Sequence, residues 1–278
     1  MNKMPSPFDF ASLGDLKGCL DIAGDDDDVF LGHLISQISR AILAYINRSS
    51  ILPMPFEDVF DGGGERSVTL REWPVLGIIA CRINDVLIPS FVQNAGIWSE
   101  SVGYIIDPAG SWPPGGMQRL SLRNGRFVCG IQNVMISYTA GYQITDENVT
   151  GPKSAPFCVA AAAPLGDWRS DCGVSYIDGT QLTRVASNPL GGQYSVADGT
   201  YTFSQADAGV EMQISYGYMP AELAACCMDW AAERYTYRSR IGQQSKSLGG
   251  QETIAFIVKD IPDFVRSALV PYRRIVTP

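Results

Sequence analysis

His33 is the single histidine in a chain of 278 residues, so any Ser-His-Asp or Cys-His relay would have to pass through it. It falls in the middle of a helical pattern with no Ser or Cys motif around it, and its plainer role is structural. Asp25, Asp26, Asp27 and Asp28 form a run of carboxylates that could bind Ca²⁺. They lack the Asp-x-Asp-x-Asp-Gly spacing and later Glu that wrap a loop around the ion. Placed before an apolar helical run, they read more simply as caps, accepting orphan N–H groups and opposing the positive dipole end. The cysteines, Cys19, Cys81, Cys129, Cys158, Cys172, Cys226 and Cys227, are an odd and scattered set without CxxC, which suggests neither a zinc site nor a disulfide framework. Buried free thiols are expected, although Cys158 and Cys172 could pair in oxidising surroundings. No GxxxxGK[ST], HExxH or GxSxG occurs, which removes the usual phosphate-binding and hydrolytic signatures. A glycosidase carboxylate pair is set by the fold, and no pair stands out. Trp73, Trp98, Trp112 and Trp168 could line a sugar site or an interface, or pack into a core. The expectation is a chain that is not an enzyme and has no cofactor and no metal.

Composition points the same way. Charged residues are 18% against a usual quarter, and the 28 glycines and 17 prolines favour turns and β structure over a long helical bundle. With 46% apolar residues the chain can bury a substantial core and has room for two domains. A formal charge of −8 and a pI near 4.7 disfavour a general nucleic-acid surface, which depends on Lys and Arg displacing counterions. Met1–Phe10 has no apolar h-region, and no run approaches ~18 apolar residues. A soluble protein made in a cytoplasm, with no membrane partner, is therefore expected.

The elements follow from periodicity. Ser12–Ala23 predicts a short helix capped by Ser12, with Asp15 three residues on and Gly24 as the stop. A second, amphipathic helix follows the aspartates, with Phe30, Leu34, Ile38, Ala41, Ile42, Tyr45 and Ile46 on one face. From Pro53 the pattern becomes short strands: Phe56–Phe60, Val68–Leu70, Val75–Ile83, Val86–Ile88, Val102–Ile106, Phe127–Cys129 and Val134–Tyr138. Helix returns at Pro220 and runs to about Tyr237. Gln243–Gln251 reads as a polar loop, and a last helix starts near Asp260 with Phe264, Val265, Ala268, Leu269 and Tyr272 as its apolar face.

Met135-Ile-Ser-Tyr-Thr-Ala-Gly-Tyr142 and Met212-Gln-Ile-Ser-Tyr-Gly-Tyr218 are near copies, and either could lead into the helix at Pro220. Residues 143–218 therefore read as an inserted, small antiparallel β domain with strands at Gly173–Ile177, Gln181–Val185, Gln193–Val196, Tyr201–Ser204 and Val210–Tyr216. Its two ends should lie close together. It carries eight carboxylates against three cations, −5 of the total −8. The predicted domains are 1–142 (N-terminal helices and β region), 143–218 (the insertion) and 219–278 (C-terminal helices), an α+β chain whose helical body is interrupted by β structure.

The order of several segments resembles the head-tail connector proteins of tailed bacteriophages, also called adaptor or head-completion proteins. The segments are Ser12-Leu-Gly-Asp-Leu-Lys17 with the aspartate-led helix, Tyr138-Thr-Ala-Gly-Tyr142, Pro220-Ala-Glu-Leu223 leading to Ala232-Glu-Arg-Tyr235, Ser247-Leu-Gly-Gly250 and Pro271-Tyr-Arg-Arg274. The resemblance implies a structural virion protein at the head–tail interface: a ring of twelve copies that contacts the portal and a tail or nozzle protein. Packaged DNA passes through it without specific binding. An acidic wall suits that role, because it repels phosphate instead of holding it. By the same resemblance the last helix and tail dock on the portal through Phe264, Leu269 and Tyr272, with Arg273 and Arg274 at the rim. The alternative is a self-capping helix whose arginines suit its own dipole. The insertion either projects toward portal, capsid or tail, or only enlarges the ring.

Two other classes remain at this stage. A carbohydrate-binding or adhesion module would use aromatics of the insertion such as Tyr176, Tyr194 and Tyr201 in an open groove. A hydrolase would need a deep pocket with perturbed acids.

Overall fold

The computed structural model describes residues 8–91, 103–107, 116–238, 245–248, 252–255 and 261–274, so Trp98 and Trp112 lie outside the described residues. The chain divides into two compact units, one made of Ser50–Pro220 and one of Met1–Ser49 with Ala221–Pro278. It is an α+β protein.

The Ser50–Pro220 unit is all β. Its first half holds β1 (Met54–Gly62), β2 (Ser67–Thr69), β3 (Val75–Ile83), β4 (Val86–Ile88), β5 (Gly103–Asp107), β6 (Arg119–Arg123) and β7 (Gly130–Ala140). Its second half holds β8 (Gln143–Thr150), β9 (Cys158–Ala160), β10 (Gly166–Tyr176), β11 (Thr183–Arg184), β12 (Gln193–Ala197), β13 (Thr200–Phe203) and β14 (Glu211–Pro220). In β7 the buried Val134, Ile136, Tyr138 and Ala140 alternate with half-buried Met135, Ser137 and Thr139, the period of two that puts one face of a strand on a core.

The two halves have one topology. In the first, the order is β1-β7-β3-β4; the chain past β4 then runs parallel to β5 through the Ser90–Tyr104 bridge, and β5-β6-β2 completes the set. In the second, the order is β8-β14-β10; Gln181 bridges Ser175 of β10, β11 runs parallel to β12, and β12-β13-β9 completes the set. The shared Ile-Ser-Tyr segment puts the two in register, since Ile136, Ser137 and Tyr138 of β7 occupy the places of Ile214, Ser215 and Tyr216 of β14. Both irregularities of β3, at Leu76 and at Ile79, then coincide with those of β10, at Arg169 and at Cys172. The expected antiparallel module thus contains one parallel pair, and it repeats the architecture of the strands before it.

The polar interior repeats as well. Tyr138, fully buried, donates its hydroxyl proton to Asp58 on β1 (2.8 Å) and accepts the Glu72 N–H (3.0 Å). Tyr216, also buried, donates to Glu147 on β8 and accepts the Ala163 N–H (2.9 Å). Asp58 lies opposite Ile136 and Glu147 opposite Ile214. Where the halves meet, the Tyr218 N–H donates to the Tyr142 carbonyl (3.1 Å), and the two rings meet edge to face at 5.9 Å.

In the β unit one strand expectation fails, and three strands were not expected. Phe127–Cys129 is not a strand; Phe127 is buried in the core, and its N–H is held by the Glu65 carbonyl (2.8 Å). Strand β6 places Leu120 and Leu122 inward between flanking arginines, a pattern too short to stand out. Strand β8 is largely polar, and β9 is three residues long.

The other unit contains α1 (Leu13–Leu20), α2 (Asp28–Ile46), α3 (Ala221–Tyr237) and α4 (Asp263–Leu269). Strand β15 (Ser245–Leu248), which pairs antiparallel with β16 (Glu252–Ala255), falls within the Gln243–Gln251 stretch expected as a polar loop. Ser12 caps α1 by accepting the Asp15 N–H (3.1 Å) and donating to its carboxylate (2.5 Å). The helix ends on Asp21 in the left-handed region, ahead of Gly24. Leu31, Leu34, Ile35, Ile38, Ile42 and Ile46 bury one face of α2. Ser39 is tolerated among them because its hydroxyl accepts the Phe10 N–H (2.9 Å). By length and mean hydropathy (1.4) α2 could cross a membrane, but its apolar face belongs to this helical core, and His33, Gln37 and Arg40 are exposed.

The aspartate run does not cap α2 as expected. Asp27 is the N-cap residue but makes no side-chain cap bond. Its carboxylate instead accepts from the Tyr235 hydroxyl (2.5 Å) and Arg238 (3.0 Å) at the end of α3, while Lys17 takes Asp25 (2.8 Å) and Asp28 (2.7 Å). The Arg238 hydrogen bond, with that of Tyr235, holds the Asp27 carboxyl below its usual range. A lowered folded-state pKa contributes stability above the unfolded value of ~3.9, and that contribution is lost as pH falls through the folded one. Asp27→Asn is therefore expected to lower the melting temperature of the chain at neutral pH, and the gap from the parent should close as the pH drops below about 4. A gap independent of pH would show that the carboxylate charge is not what the clasp uses.

Candidate functional site

The buried and half-buried carboxylates and tyrosines of the β unit bond to one another. His33 is exposed on α2 with no hydrogen-bond partner among the described residues. Asp171 accepts from Tyr194 (2.8 Å) and Tyr201 (3.2 Å) and pairs with Arg184 (3.5 Å). Asp207 accepts from Tyr176 (2.7 Å) and the Gly192 N–H (3.3 Å). No group of His, Cys, Asp or Glu able to hold a metal occurs among the described residues. All seven cysteines are free thiols, and burial pushes Cys81 and Cys226 up to about 11, away from the thiolate form that attacks or ligates.

Of the aromatics proposed for a sugar groove, Tyr176 is half-buried with its hydroxyl on Asp207 (2.7 Å), and Trp98 and Trp112 lie outside the described residues. Tyr194 and Tyr201 are buried, as is Trp73. Trp168 is half-buried, its Nε1–H donating to the Tyr201 hydroxyl (3.2 Å). Burial pushes the Tyr201 hydroxyl, and likewise Tyr194, far above the usual phenol range, as expected of core tyrosines facing a carboxylate.

The five residues expected to meet the portal sit on α4 and the 3₁₀ turn Val270–Tyr272 behind it. They divide into two groups. Leu269 and Tyr272 belong to the core of their own helical unit, and the Tyr272 hydroxyl donates to Glu222 on α3 (3.3 Å). They therefore offer no surface to a partner in this conformation. Phe264 is 58% exposed, with Val270 exposed nearby on the chain. The arginines serve α2 more than their own helix. The Arg274 N–H donates to the Ile46 carbonyl (2.8 Å), and its carbonyl accepts from Asn47 Nδ2 (3.3 Å). The Arg273 guanidinium lies 5.4 Å from the Tyr45 ring centroid. A carbonyl that a helix end leaves unpaired is thus satisfied, and positive charge stands by the negative end of the dipole.

An open cleft of about 310 Å³ lies on the first half of the β unit, bordered by Arg82, Asn84, Asp85, Ile131, Gln132, Asn133 and Met135. It holds no pair of groups arranged for catalysis. Periodicity could not find it, because it forms where the β3–β4 turn meets the start of β7.

No protein-family model matches the chain, and no curated protein matches it. Among solved structures, a chain in one described as the neck of an empty GTA particle computed with C6 symmetry is 12% identical, over 100% of this chain and 96% of that one, with a TM-score of 0.40. At that score the likeness shows neither a shared fold nor a shared role.

Proposed function

We propose that the chain is a structural virion protein, a head–tail connector that assembles as a ring of twelve copies between portal and tail and continues the DNA channel. The observation that carries this reading is the composition of the helical unit: the two ends of the chain, Met1–Ser49 and Ala221–Pro278, close into one body, and Ser50–Pro220, which carries β1–β14, is a single excursion from it. That is the architecture the connector resemblance implies. The commitment of buried carboxylates, tyrosines and thiols to internal bonds supports a role without chemistry. The net charge of −8 suits a wall that DNA slides past. The 143–218 segment is read as a domain added to the connector body, and its topology suggests that the addition was a copy.

The portal contact is assigned to the α4 region, with exposed Phe264 as its apolar element and Arg273 at the rim; Leu269 and Tyr272 act by holding that surface in place. Electron microscopy of the purified chain, alone and mixed with particles lacking it, tests the reading. Rings, or new density at the portal vertex, are expected; a monomer that never attaches overturns it. Phe264→Asp is expected to weaken attachment to such particles at least tenfold while leaving the melting temperature within a degree or two. Unchanged attachment would move the portal contact elsewhere. The carbohydrate-binding alternative is not favoured, because among the described residues its Tyr194 and Tyr201 are buried and its Tyr176 and Trp168 half-buried, with hydrogen bonds to Asp171, Asp207 and Tyr201.

A further inference from the structure

The duplicated β unit contains its own control for what the fold requires at each position. In the first half, Leu76, Ile79, Val86 and Leu87 on β3 and β4 are 37%, 64%, 63% and 57% exposed. Strand registers match Leu76 and Ile79 to Arg169 and Cys172 of β10, since each pair occupies the same irregularity. Leu87 lies opposite Arg82 as Gln181 lies opposite Ser175. Val86 lies opposite Ile83 as Thr180 meets Tyr176, whose N–H donates to the Thr180 carbonyl (2.9 Å). The inward positions stay apolar in both halves, for example Cys81 with Val174 and Ile88 with Leu182. The same backbone therefore folds with exposed Cys172, Thr180 and Gln181 where the first half exposes Ile79, Val86 and Leu87, while at the Leu76 position the second half holds Arg169, largely covered and paired with Asp167. Folding does not ask for apolar groups there, and exposing a cluster of them without use is unfavourable.

We infer that this β3–β4 corner, where Leu76, Ile79 and Leu87 stand on the outward side with Arg82, and Val86 flanks them from the turn on the other side of β4, is the surface through which one copy of the chain packs against the second β half of the next copy. The inference rests on the ring reading above and names the contact that builds the ring. Charge identifies the occupant. Arg82 stands in the middle of the face, where the second half has Ser175, and it makes no ion pair among the described residues; its one side-chain hydrogen bond goes to the Asp85 carbonyl (3.3 Å). The second half exposes Asp146, Asp178, Asp198 and Glu211, none with a cation partner among the described residues. Asp178 follows Ile177, which is 53% exposed, so an apolar group and a carboxylate stand together at the β10–β11 turn. An apolar face with a central arginine fits an apolar turn with an adjacent aspartate. Because the two surfaces lie on different halves of one chain, the contact is head to tail, the kind that closes into a ring.

The test grafts the second half's residues onto the first. Full-length chain carrying Val86→Thr and Leu87→Gln is compared with the parent by mass photometry and electron microscopy, alone and on particles lacking the protein, with melting temperature as the check on folding. The double variant is expected to need at least ten times the concentration for ring formation at an unchanged melting temperature. Arg82→Glu should impair assembly similarly, and Asp178→Arg added to it should restore part of the loss. A folded double variant that forms rings like the parent overturns the assignment of this face and leaves the ring reading standing. An Arg82→Glu defect that Asp178→Arg does not relieve overturns the second half as the occupant. If the parent never forms rings under either condition, the ring reading fails and this inference fails with it.

Discussion

Tyr138→Ala is expected to destabilise the β unit by about 3–5 kcal/mol, the range for removing a large aromatic from a packed core. The ring is fully buried and packs 5.9 Å from Phe56. Tyr138→Phe separates the hydroxyl from the ring. It keeps the packing but takes the donor from Asp58, itself only 5% exposed, and the acceptor from the Glu72 N–H. A buried group left without its partner costs about 1–3 kcal/mol, less here to the extent that Asp58 keeps the Arg71 N–H (2.9 Å). Tyr216→Phe supplies the matched comparison, since Tyr216 donates to Glu147 and accepts the Ala163 N–H. Denaturant unfolding followed by circular dichroism should give losses of the same order for the two Phe variants. A loss in one and none in the other would show that the halves, alike in topology, do not depend alike on this bond.

The second large effect is expected at Gly141, between β7 and β8. Its φ of +144° strains any residue with a side chain, and a Cβ would stand 2.4 Å from Pro53 N and 2.5 Å from the Leu52 carbonyl carbon. Both obstacles are backbone and cannot rotate aside. Gly141→Ala should therefore combine conformational strain with overpacking, for a loss above about 3 kcal/mol. Gly179→Ala separates the two effects: its φ is +88°, yet nothing lies within 4 Å of the added carbon, so only the backbone cost of about 1–2 kcal/mol applies. Comparable losses at the two sites in the same unfolding experiment would mean that the chain around Leu52–Pro53 yields.

Period and capping signals carried the helices and most strands into the sequence. Ser12 with Asp15, the apolar stripe of α2, and Val75–Ile83 with Val86–Ile88 all depend on neighbours a few residues away, which a linear pattern records. What stayed hidden depends on distant partners. The aspartate run has the composition of a cap, but Tyr235 and Arg238, some two hundred positions later, claim Asp27. Leu269 and Tyr272 share a helical stripe with Phe264; only the fold shows that the first two are buried, Tyr272 bonding to Glu222 of α3, and that Phe264 is left out. The duplication was visible only as Ile-Ser-Tyr, because the other inward positions changed size together. Leu120 and Leu122 of β6 correspond to Tyr201 and Phe203 of β13, and Ile83 corresponds to Tyr176.

The paired irregularities of β3 and β10 also mark where the two halves constrain sequence change most. Between the halves the inward residues differ at most positions, and the few alike in place include Tyr104 with Tyr194 and Val68 with Val159. The points where each strand departs from regular pairing have not moved. An extra residue in a strand can be removed only by shifting everything after it to the opposite face, so such a feature outlasts the side chains around it. Likeness to this chain is therefore better sought in strand order and the positions of these irregularities than in residue identity.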